Sequence, residues 1–179
     1  MAPHIELRAE PSFADMLEIA QNLRARDRDE LYATRYGENP EDVARDATMT
    51  GAFRWGAYLD GKPVAAIGAF PRWPNVWTLW AYGTDDWPKV VLTLTKHARK
   101  FMLPALYHAG AIRVDAMSLA THTDAHRWMA SMGGAPEKPL DNYGKNGQTF
   151  VNYVWTRKSA KVTMALNGRG KPCAAVHPM

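Results

Sequence analysis

Residues 75–136 constrain the fold more than any other part of the chain, because strand, helix, strand and helix follow one another there. The apolar run VWTLWAYG predicts a strand, TDDW a turn, the segment from Pro88 a long helix, and AIRVDAMSLA a second strand. The segment THTDAHRWMASMGG predicts a closing helix. Crossovers through one helix are nearly always right-handed, so the two strands should be parallel. A ligand site would be expected at the turn before the long helix.

Three helices are predicted before this region. Ser12 is a candidate N-cap with Asp15 three residues later, which is the spacing of a capping box. The charged run RARDRDE predicts a break, with a second helix starting at Asp27 or Asp29. A third helix should start at Pro40, because proline is preorganised for the first helical position.

Strands are predicted on both sides of the crossover. FRWGAYLDGKPVAAIGAF predicts a hairpin that turns at Asp60 and Gly61, a dipeptide that accepts positive φ angles. Pro104 removes a backbone donor from the long helix, so a kink or an early end near Leu103 is expected. KPLDNYGKNGQ and TFVNYVWTR predict a terminal hairpin that turns at residues 145–147.

These elements predict an α/β (α+β) fold with a mixed, mostly antiparallel sheet of six to seven strands and helices on both faces. A chain of 179 residues with 46% hydrophobic residues is long enough for one domain with a core. We assign that domain to residues 1–157 and a basic extended arm to residues 158–179. The single Cys173 excludes an internal disulfide. The sequence shows no signal peptide or bilayer-length apolar run, so a soluble protein made inside the cell is expected, with no membrane partner.

The positive charge lies near the C-terminus. No acidic residue follows Asp141, although the net charge of the whole chain is only +4. A basic arm can contact nucleic acid or an acidic protein surface, and a solvated tail is an equally good interpretation of charge alone. The basic residues after Asp141 are Lys145, Arg157, Lys158, Lys161, Arg169 and Lys171.

Over residues 4–157 the order of elements resembles the GNAT superfamily of N-acetyltransferases. WGAYLDGKPVAAIGAF is similar to the second and third strands of that superfamily, and VDAMSLATHTDAHRWMASMGGAP to its fifth strand and fourth helix. The Trp-rich fourth strand, the KHARKFM helix and THTDAHRWMASMGG more closely resemble GNAT-like proteins of short-tailed, T7-like bacteriophages, including the internal virion protein family. That resemblance implies a virion-associated protein, present in the host cytoplasm before assembly.

The resemblance also implies a site for acetyl-coenzyme A, whose pyrophosphate binds a Q/R-x-x-G-x-G/A turn before the crossover helix. The matching turn here is YGTDDWPK, which has one glycine, two carboxylates and a proline. We expect Asp86 to cap the helix and to use its free N–H groups, and we predict no bound cofactor. Any residual coenzyme A contact would involve Tyr82, Gly83, Thr84, Lys89 and His122.

The residues implied for catalysis are also replaced. The family motif Ala matches Ala125, and the tyrosine that protonates the leaving thiolate four residues later matches Met129, which has no acidic proton. His122 stands at the motif Asn. We therefore predict no catalytic residue. Asp115, within the fifth strand, is expected to be a buried structural partner, and Tyr82 and His97 are candidates for a base by location alone. His122 and His126 lack a third ligand, so no metal site is predicted.

Two of the tryptophans are predicted to contact partners. Trp73 and Trp87 lie on predicted turns, where exposed aromatic residues act as interface anchors. Trp77 and Trp80 should point to opposite faces of their strand. Helices should cover both faces of the sheet, so nucleic acid could bind only through the basic arm.

Two main functions remain open from the sequence. The preferred one is a structural protein of a phage particle that is catalytically inactive, is present in several copies and docks on other head, neck or tail subunits. Its interface would include Trp73, Trp87, Lys158, Lys161, Arg169 and Lys171. The alternative is an acyl-coenzyme A-dependent N-acetyltransferase. A third possibility is a regulatory binder of a host enzyme, which no sequence feature favours.

Overall fold

The computed structural model describes residues 3–49 and 53–156, which build one seven-stranded sheet with helices on both faces. In chain order the elements are β1 (Ile5–Ala9), α1 (Phe13–Gln21), α2 (Ala25–Ala33), α3 (Pro40–Met49), β2 (Phe53–Leu59), β3 (Lys62–Trp73), β4 (Val76–Gly83), α4 (Trp87–His97), a π-helical turn (Ala98–Met102), α5 (Leu103–His108), β5 (Arg113–Leu119), α6 (Thr123–Ser131), β6 (Ala135–Pro136) and β7 (Phe150–Thr156). The strand order is β1-β2-β3-β4-β5-β7-β6. The predicted fold class is confirmed.

The pairing of the strands matches the predicted crossover. β4 and β5 pair in parallel, and every other neighbouring pair of the sheet is antiparallel. The hairpin between β2 and β3 turns at Asp60 and Gly61, whose φ angles are 51° and 83°. Both predictions are therefore confirmed.

Helix starts follow the sequence signals with one correction. Ser12 and Asp15 form the full capping box of α1, since each side chain accepts the other residue's backbone N–H. α3 starts at Pro40, as predicted. α2 starts at Ala25 rather than at Asp27 or Asp29, and Arg24 occupies its N-cap position without a side-chain capping bond. The carboxylate of Asp27 does not cap its own helix and instead accepts a hydrogen bond from the Gly83 N–H at the end of β4.

Pro104 does not end the crossover helix, which continues to His108. The helix is nevertheless irregular close to the predicted place, because the π-helical turn Ala98–Met102 ends directly before Leu103. There the N–H of Leu103 donates to the carbonyl of Ala98, one residue further back than in an α-helix. Proline has no N–H group, so Pro104 cannot donate a backbone hydrogen bond within the helix. The wider π-helical turn before it shifts the neighbouring backbone hydrogen bonds by one residue.

The terminal hairpin is shorter than predicted. β6 contains only Ala135 and Pro136, and the predicted strand from Lys138 to Gln148 is reduced to one bridge between Leu140 and Phe150. Pro139 lacks a ladder donor and Asn142 has a φ angle of 57°, so an extended strand cannot continue there. A turn does form near the predicted place, where Gly147 donates to the carbonyl of Gly144.

Two apolar cores lie on opposite sides of the sheet. The larger one packs α4, α5 and α6 on one face, and the smaller one packs α1, α2 and α3 on the other. Trp77 contacts the larger core and Trp80 the smaller one, which confirms their opposite directions on β4. None of the helices in the described ranges has the length and apolar character needed to cross a bilayer.

A cleft opens between the two parallel strands. β4 and β5 pair only from Val76 to Thr78, opposite Arg113 to Asp115. The hydroxyl of Thr78 donates to Asp115 Oδ1 at 2.9 Å at the last paired position. Beyond it the strands separate, so their C-terminal halves form the walls of a cavity that α2, α4 and α6 close.

Candidate functional site

The cleft between β4 and β5 is small and mainly apolar. Its cavity volume is about 70 Å³, which is room for a few water molecules. Met129 lies in this lining and is 5% exposed. The methionine that replaces the expected tyrosine therefore lies at the cleft, where it can pack but cannot donate a proton. Apolar lining residues include Leu79, Met102, Ala116, Met129, Met132 and Trp155.

Glu30, a carboxylate on α2, forms the hydrogen bonds of the polar wall of the cleft. Glu30 Oε2 accepts from the Ser118 hydroxyl at 2.5 Å and from the Leu119 N–H at 2.8 Å. The same oxygen lies 3.0 Å from His122 Nδ1. A proton on Nδ1 completes this bond. Nε2 is buried without a hydrogen-bond partner in the described structure and lies 3.7 Å from Asp27 Oδ1.

Asp27 occupies the end of β4. Its side chain is 4% exposed, and Oδ2 accepts the backbone N–H of Gly83 at 2.8 Å. Oδ1 lies 2.8 Å from Arg24 Nε in an ion pair. Burial raises the pKa of Asp27, while Arg24, the Gly83 N–H and His122 act in the opposite direction without cancelling it. A carboxylate of the chain itself thus occupies the donor at the start of the turn.

Trp87 is a buried residue, which corrects the prediction that it is an exposed interface anchor. It is the first residue of α4 and is 6% exposed. The Arg24 guanidinium lies 4.6 Å from its ring centroid, and the Trp128 ring meets it edge-on at 5.2 Å. The indole therefore packs against Arg24, at the N-cap position of α2, and against Trp128 of α6 rather than pointing outward from the turn.

Most backbone N–H groups of the turn are already bonded within the chain. Asp86 does not cap α4 with its side chain, contrary to the prediction, because its carboxylate pairs with Lys89 Nζ at 2.6 Å. Pro88 has no N–H to offer. The other bonds are Thr84 N–H to Val64 O at 2.8 Å, Asp86 N–H to Thr84 Oγ1 at 3.2 Å, Trp87 N–H to Thr84 O at 2.9 Å and Lys89 N–H to Asp86 O at 3.0 Å.

The single glycine of the turn has a packing role. A Cβ on Gly83 would lie 2.8 Å from Trp87 Cε3 and 3.0 Å from the Val64 carbonyl oxygen. Glycine is therefore needed for the close approach of β4 to α4, independently of any ligand. Together with Asp85 and Asp86, these contacts show that the turn does not fit the pyrophosphate of coenzyme A.

The five residues considered for coenzyme A do not converge on one site. Tyr82 is 2% exposed and faces the smaller core, where its hydroxyl lies 3.5 Å from Met16 Sδ. Burial raises its pKa, so it is poorly suited to accept a proton. Thr84 and Lys89 bond to their neighbours in the turn. Only Gly83 and His122 are linked, through Asp27.

The remaining candidates have structural contacts. His97 lies against the rings of Trp55 and Phe101 at 4.6 Å and 5.5 Å, and burial lowers its pKa. Asp115 accepts from Thr78 and pairs with Arg113 at 3.5 Å. Within residues 3–49 and 53–156 no group of three or more His, Cys, Asp or Glu side chains is placed to hold a metal ion.

Sequence reasoning missed the contribution of α2 to the cleft. Arg24, Asp27 and Glu30 recur every three residues, which places them on one side of a helix. Their partners lie 56 residues away at Gly83 and 92 residues away at His122. The spacing was available as a signal, but nothing in the sequence indicates the strand and helix that these side chains reach.

Of the predicted interface residues, Trp73 is exposed. It is 56% accessible, and the Arg72 guanidinium lies 5.2 Å from its ring centroid. Its role as an anchor stays a prediction. Lys158, Lys161, Arg169 and Lys171 lie outside the described residues.

Comparisons with known proteins define the class of fold. A GNAT-family acetyltransferase from Bacillus anthracis is 12% identical with a TM-score of 0.63, covering 88% of this chain and 98% of that protein. The ribosomal-protein-S18-alanine N-acetyltransferase from Escherichia coli is 14% identical with a TM-score of 0.63, covering 86% and 94%. RimL, a ribosomal L7/L12 alpha-N-protein acetyltransferase solved with coenzyme A, is 8% identical with a TM-score of 0.64, covering 87% and 95%.

The chain therefore has the GNAT acetyltransferase fold. Sequence identities this low establish the fold alone. No protein-family model and no curated protein matches the sequence.

Proposed function

We propose that this chain is a non-catalytic GNAT-fold scaffold that docks on neighbouring subunits of a short-tailed bacteriophage particle. The proposal rests chiefly on the Gly83 N–H, which the buried Asp27 carboxylate occupies at 2.8 Å. An anion bound at the start of the turn would have to displace an internal carboxylate. It would also have to approach two further acidic residues, Asp85 and Asp86.

The cleft supports the same proposal through the replacement of its proton donor. Met129 lines the cavity at the position where the resemblance implies a tyrosine. Without that donor, the leaving thiolate of an acyl transfer would have no acid from this position. Placement in a phage particle rests on the resemblance to virion-associated proteins, and it implies assembly in the host cytoplasm followed by incorporation into the virion.

Calorimetric titration of the full chain with acetyl-coenzyme A tests the absence of cofactor binding. We expect no saturable heat at cofactor concentrations up to about 1 mM, which corresponds to a binding free energy weaker than about −4 kcal/mol. Micromolar binding that weakens when Thr84 is replaced would contradict the proposal.

A second test addresses docking. A chain that ends at Lys158 should fold but be lost from assembled particles, because the basic arm is proposed to contact neighbouring subunits. Normal incorporation of that truncated chain would contradict the role of the arm.

One observation favours an acyl-coenzyme A-dependent N-acetyltransferase as a second candidate. The β4 and β5 strands still separate into a cleft, and its lining includes His122, whose Nε2 is buried without a hydrogen-bond partner among the described residues. Such an enzyme would need an anchor for the cofactor other than the turn at residues 83–89. The calorimetric titration separates the two candidates, because only the enzyme requires acetyl-coenzyme A to bind.

A further inference from the structure

The outer side of the crossover helix carries an unusual concentration of positive charge. The segment Trp87–His108 contains four Lys and Arg residues and no Asp or Glu. One of them, Lys89, pairs with Asp86 at 2.6 Å. Lys96, Arg99 and Lys100 are exposed, and no carboxylate of the described residues forms an ion pair with them. These three cations therefore point into solvent without internal neutralisation.

Two large apolar side chains are exposed beside these cations. Leu92 is 64% accessible and Phe101 is 60% accessible. Leu92, Lys96 and Lys100 follow one another every four residues, which is the spacing of one helix face. We call Leu92, Lys96, Arg99, Lys100 and Phe101 the basic stripe. At 1.5 Å per residue, it extends along about 14 Å of helix.

The opposite side of the helix fixes the direction of the basic stripe. Val90, Leu94 and Ala98 are fully buried in the larger core. The backbone of the stripe is consequently held on a packed helix before any partner binds. A preorganised surface loses less conformational entropy when it meets a partner.

The positive charge of the stripe is local, because the chain without its C-terminal residues is not basic overall. Residues 157–179 hold five of the 22 Lys and Arg and none of the 18 Asp and Glu, so the rest of the chain has 17 basic and 18 acidic residues. Elsewhere in the described structure many cations have carboxylate partners, such as Arg113 with Glu137 and Arg26 with Asp124. Three neighbouring cations without such partners repel one another, and an acidic ligand would relieve that repulsion.

We propose that the basic stripe docks on a partner protein that presents carboxylates around an apolar pocket. This inference deepens the proposed docking function by naming the surface and the chemistry of its partner. The carboxylates would pair with Lys96, Arg99 and Lys100, and the pocket would accept Leu92 or Phe101. Charge complementarity of this kind sets the association rate and the orientation, while buried apolar anchors supply affinity.

The exposed side chains favour a protein over the other acidic partners. Phosphate contacts with nucleic acid are made by cations and polar groups and do not use an exposed leucine. A helix that lies on an anionic membrane inserts a broad apolar face. In α4 that face is already buried against the sheet, so only Leu92 and Phe101 remain for insertion.

The size of the stripe predicts a weak individual contact. A stripe about 14 Å long covers less than the area of about 800 Å² that a stable complex buries on each partner. Several copies in one assembly, or a second contact through the C-terminal arm, would strengthen it through effective concentration.

The test measures binding of a fluorescent peptide in which glutamate pairs alternate with leucine, using the full chain at low ionic strength. The triple variant Lys96→Glu, Arg99→Glu, Lys100→Glu should lose affinity by at least about tenfold, because each contact would become repulsive. The matched variant Arg45→Glu, Lys62→Glu, Lys138→Glu changes the net charge equally at exposed cations outside the stripe and the arm, and should lose less than about threefold. Equal losses in the two variants would overturn the assignment to α4.

The apolar part of the proposal is tested separately. Replacing Leu92 and Phe101 by serine should weaken binding of the glutamate and leucine peptide by about fivefold. The same double variant should bind a control peptide, in which serine replaces leucine, as well as the unmodified chain does. Tighter binding of a DNA duplex or of phosphatidylglycerol vesicles through the same three cations would overturn the choice of a protein partner. Acetyl-coenzyme A binding would contradict the scaffold function without changing this contrast between peptides.

Discussion

One carboxylate oxygen of Glu30 forms hydrogen bonds with three separate groups. Its Oε2 bonds the Ser118 hydroxyl, the Leu119 N–H and His122 Nδ1, so it joins α2 to β5 and to the start of α6. Its side chain is 18% exposed. If the carboxylate were removed, water could replace only part of its hydrogen bonds, because the side chain is largely buried. We therefore expect Glu30 to contribute more to stability than an ordinary surface glutamate.

Glu30→Ala should lower the free energy of unfolding by about 3 to 5 kcal/mol, because it leaves buried donors without an acceptor. The neighbouring Asp29 is exposed, and Asp29→Ala should change stability by no more than about 0.5 kcal/mol. Urea denaturation of both variants measures the difference. Similar values for the two would show that the Glu30 bonds contribute little.

Asp27 should give the protein a pH dependence of the opposite sign to that of most carboxylates. Its pKa is raised in the folded state, mainly by burial. Between the ordinary aspartate pKa of about 3.9 and the raised value, the folded state binds more protons than the unfolded state. The contribution of Asp27 to stability therefore falls as pH rises through that window.

Asp27→Asn should remove this contribution. A plot of unfolding free energy against pH should then rise more steeply for the variant than for the unmodified protein just above pH 4. Denaturation at a series of pH values gives the two curves. Parallel curves across this window would contradict a raised pKa for Asp27.

At the scale of elements, the junction of β4 and α4 is where the resemblance to GNAT acetyltransferases implies a coenzyme A site. A coenzyme A site there needs free N–H groups and a glycine that lets the phosphate approach. In this chain Gly83 instead admits the ring of Trp87, whose Cε3 would lie 2.8 Å from an added Cβ. The junction is thus built to pack a helix against a strand.

Gly83→Ala should lower the free energy of unfolding by about 1 to 3 kcal/mol through overpacking of this junction. Gly37→Ala is the matched control, because nothing lies within 4 Å of a Cβ at that position. Thermal denaturation of the two variants compares them. A neutral effect of Gly83→Ala would mean that the junction relaxes freely, and the packing explanation for Gly83 would be wrong.

The elements differ in how well the sequence predicts them. Local signals sufficed for the start of α1 at Ser12 and for the turn at Asp60, because both depend on residues close in sequence. The same signals misplaced the start of α2, since Asp27 serves β4 rather than its own helix. They also predicted too long a strand before β7, where Pro139 and Asn142 prevent pairing.

At the scale of the whole molecule, the boundary at residue 157 divides two regions of different charge. A chain limited to residues 1–157 retains 18 basic and 18 acidic residues, so its net charge falls from +4 to zero. We propose that residues 158–179 contribute charge and contacts with partners.

Removal of residues 158–179 should leave the melting temperature within about 2 °C of that of the full chain, because no described core residue is lost. Circular dichroism of both proteins during heating provides the measurement. A decrease of about 10 °C would show that the arm belongs to the folded domain and would contradict the proposed boundary.

The candidate site was less predictable than the fold. The sequence alone showed that Met129 stands where the resemblance implies a tyrosine, and that the turn before α4 is acidic. Both features lie at fixed positions of the motif that the chain resembles. The polar wall was not, since Glu30 and His122 are 92 residues apart and meet only after the sheet has formed. Likewise, the buried position of Trp87 depends on Arg24 and Trp128, which come from two other helices.

In this account the backbone N–H groups of Gly83, Thr84, Asp86, Trp87 and Lys89 are closed to a pyrophosphate, because each already bonds within the chain. Amide chemical shifts of the ¹⁵N-labelled protein, recorded during titration with coenzyme A, test it directly. We predict that the amide signals of Gly83, Thr84 and Trp87 do not move in a saturable way. Saturable shifts of these three amides, with a midpoint in the micromolar range, would contradict the claim and restore the acetyltransferase as the better function.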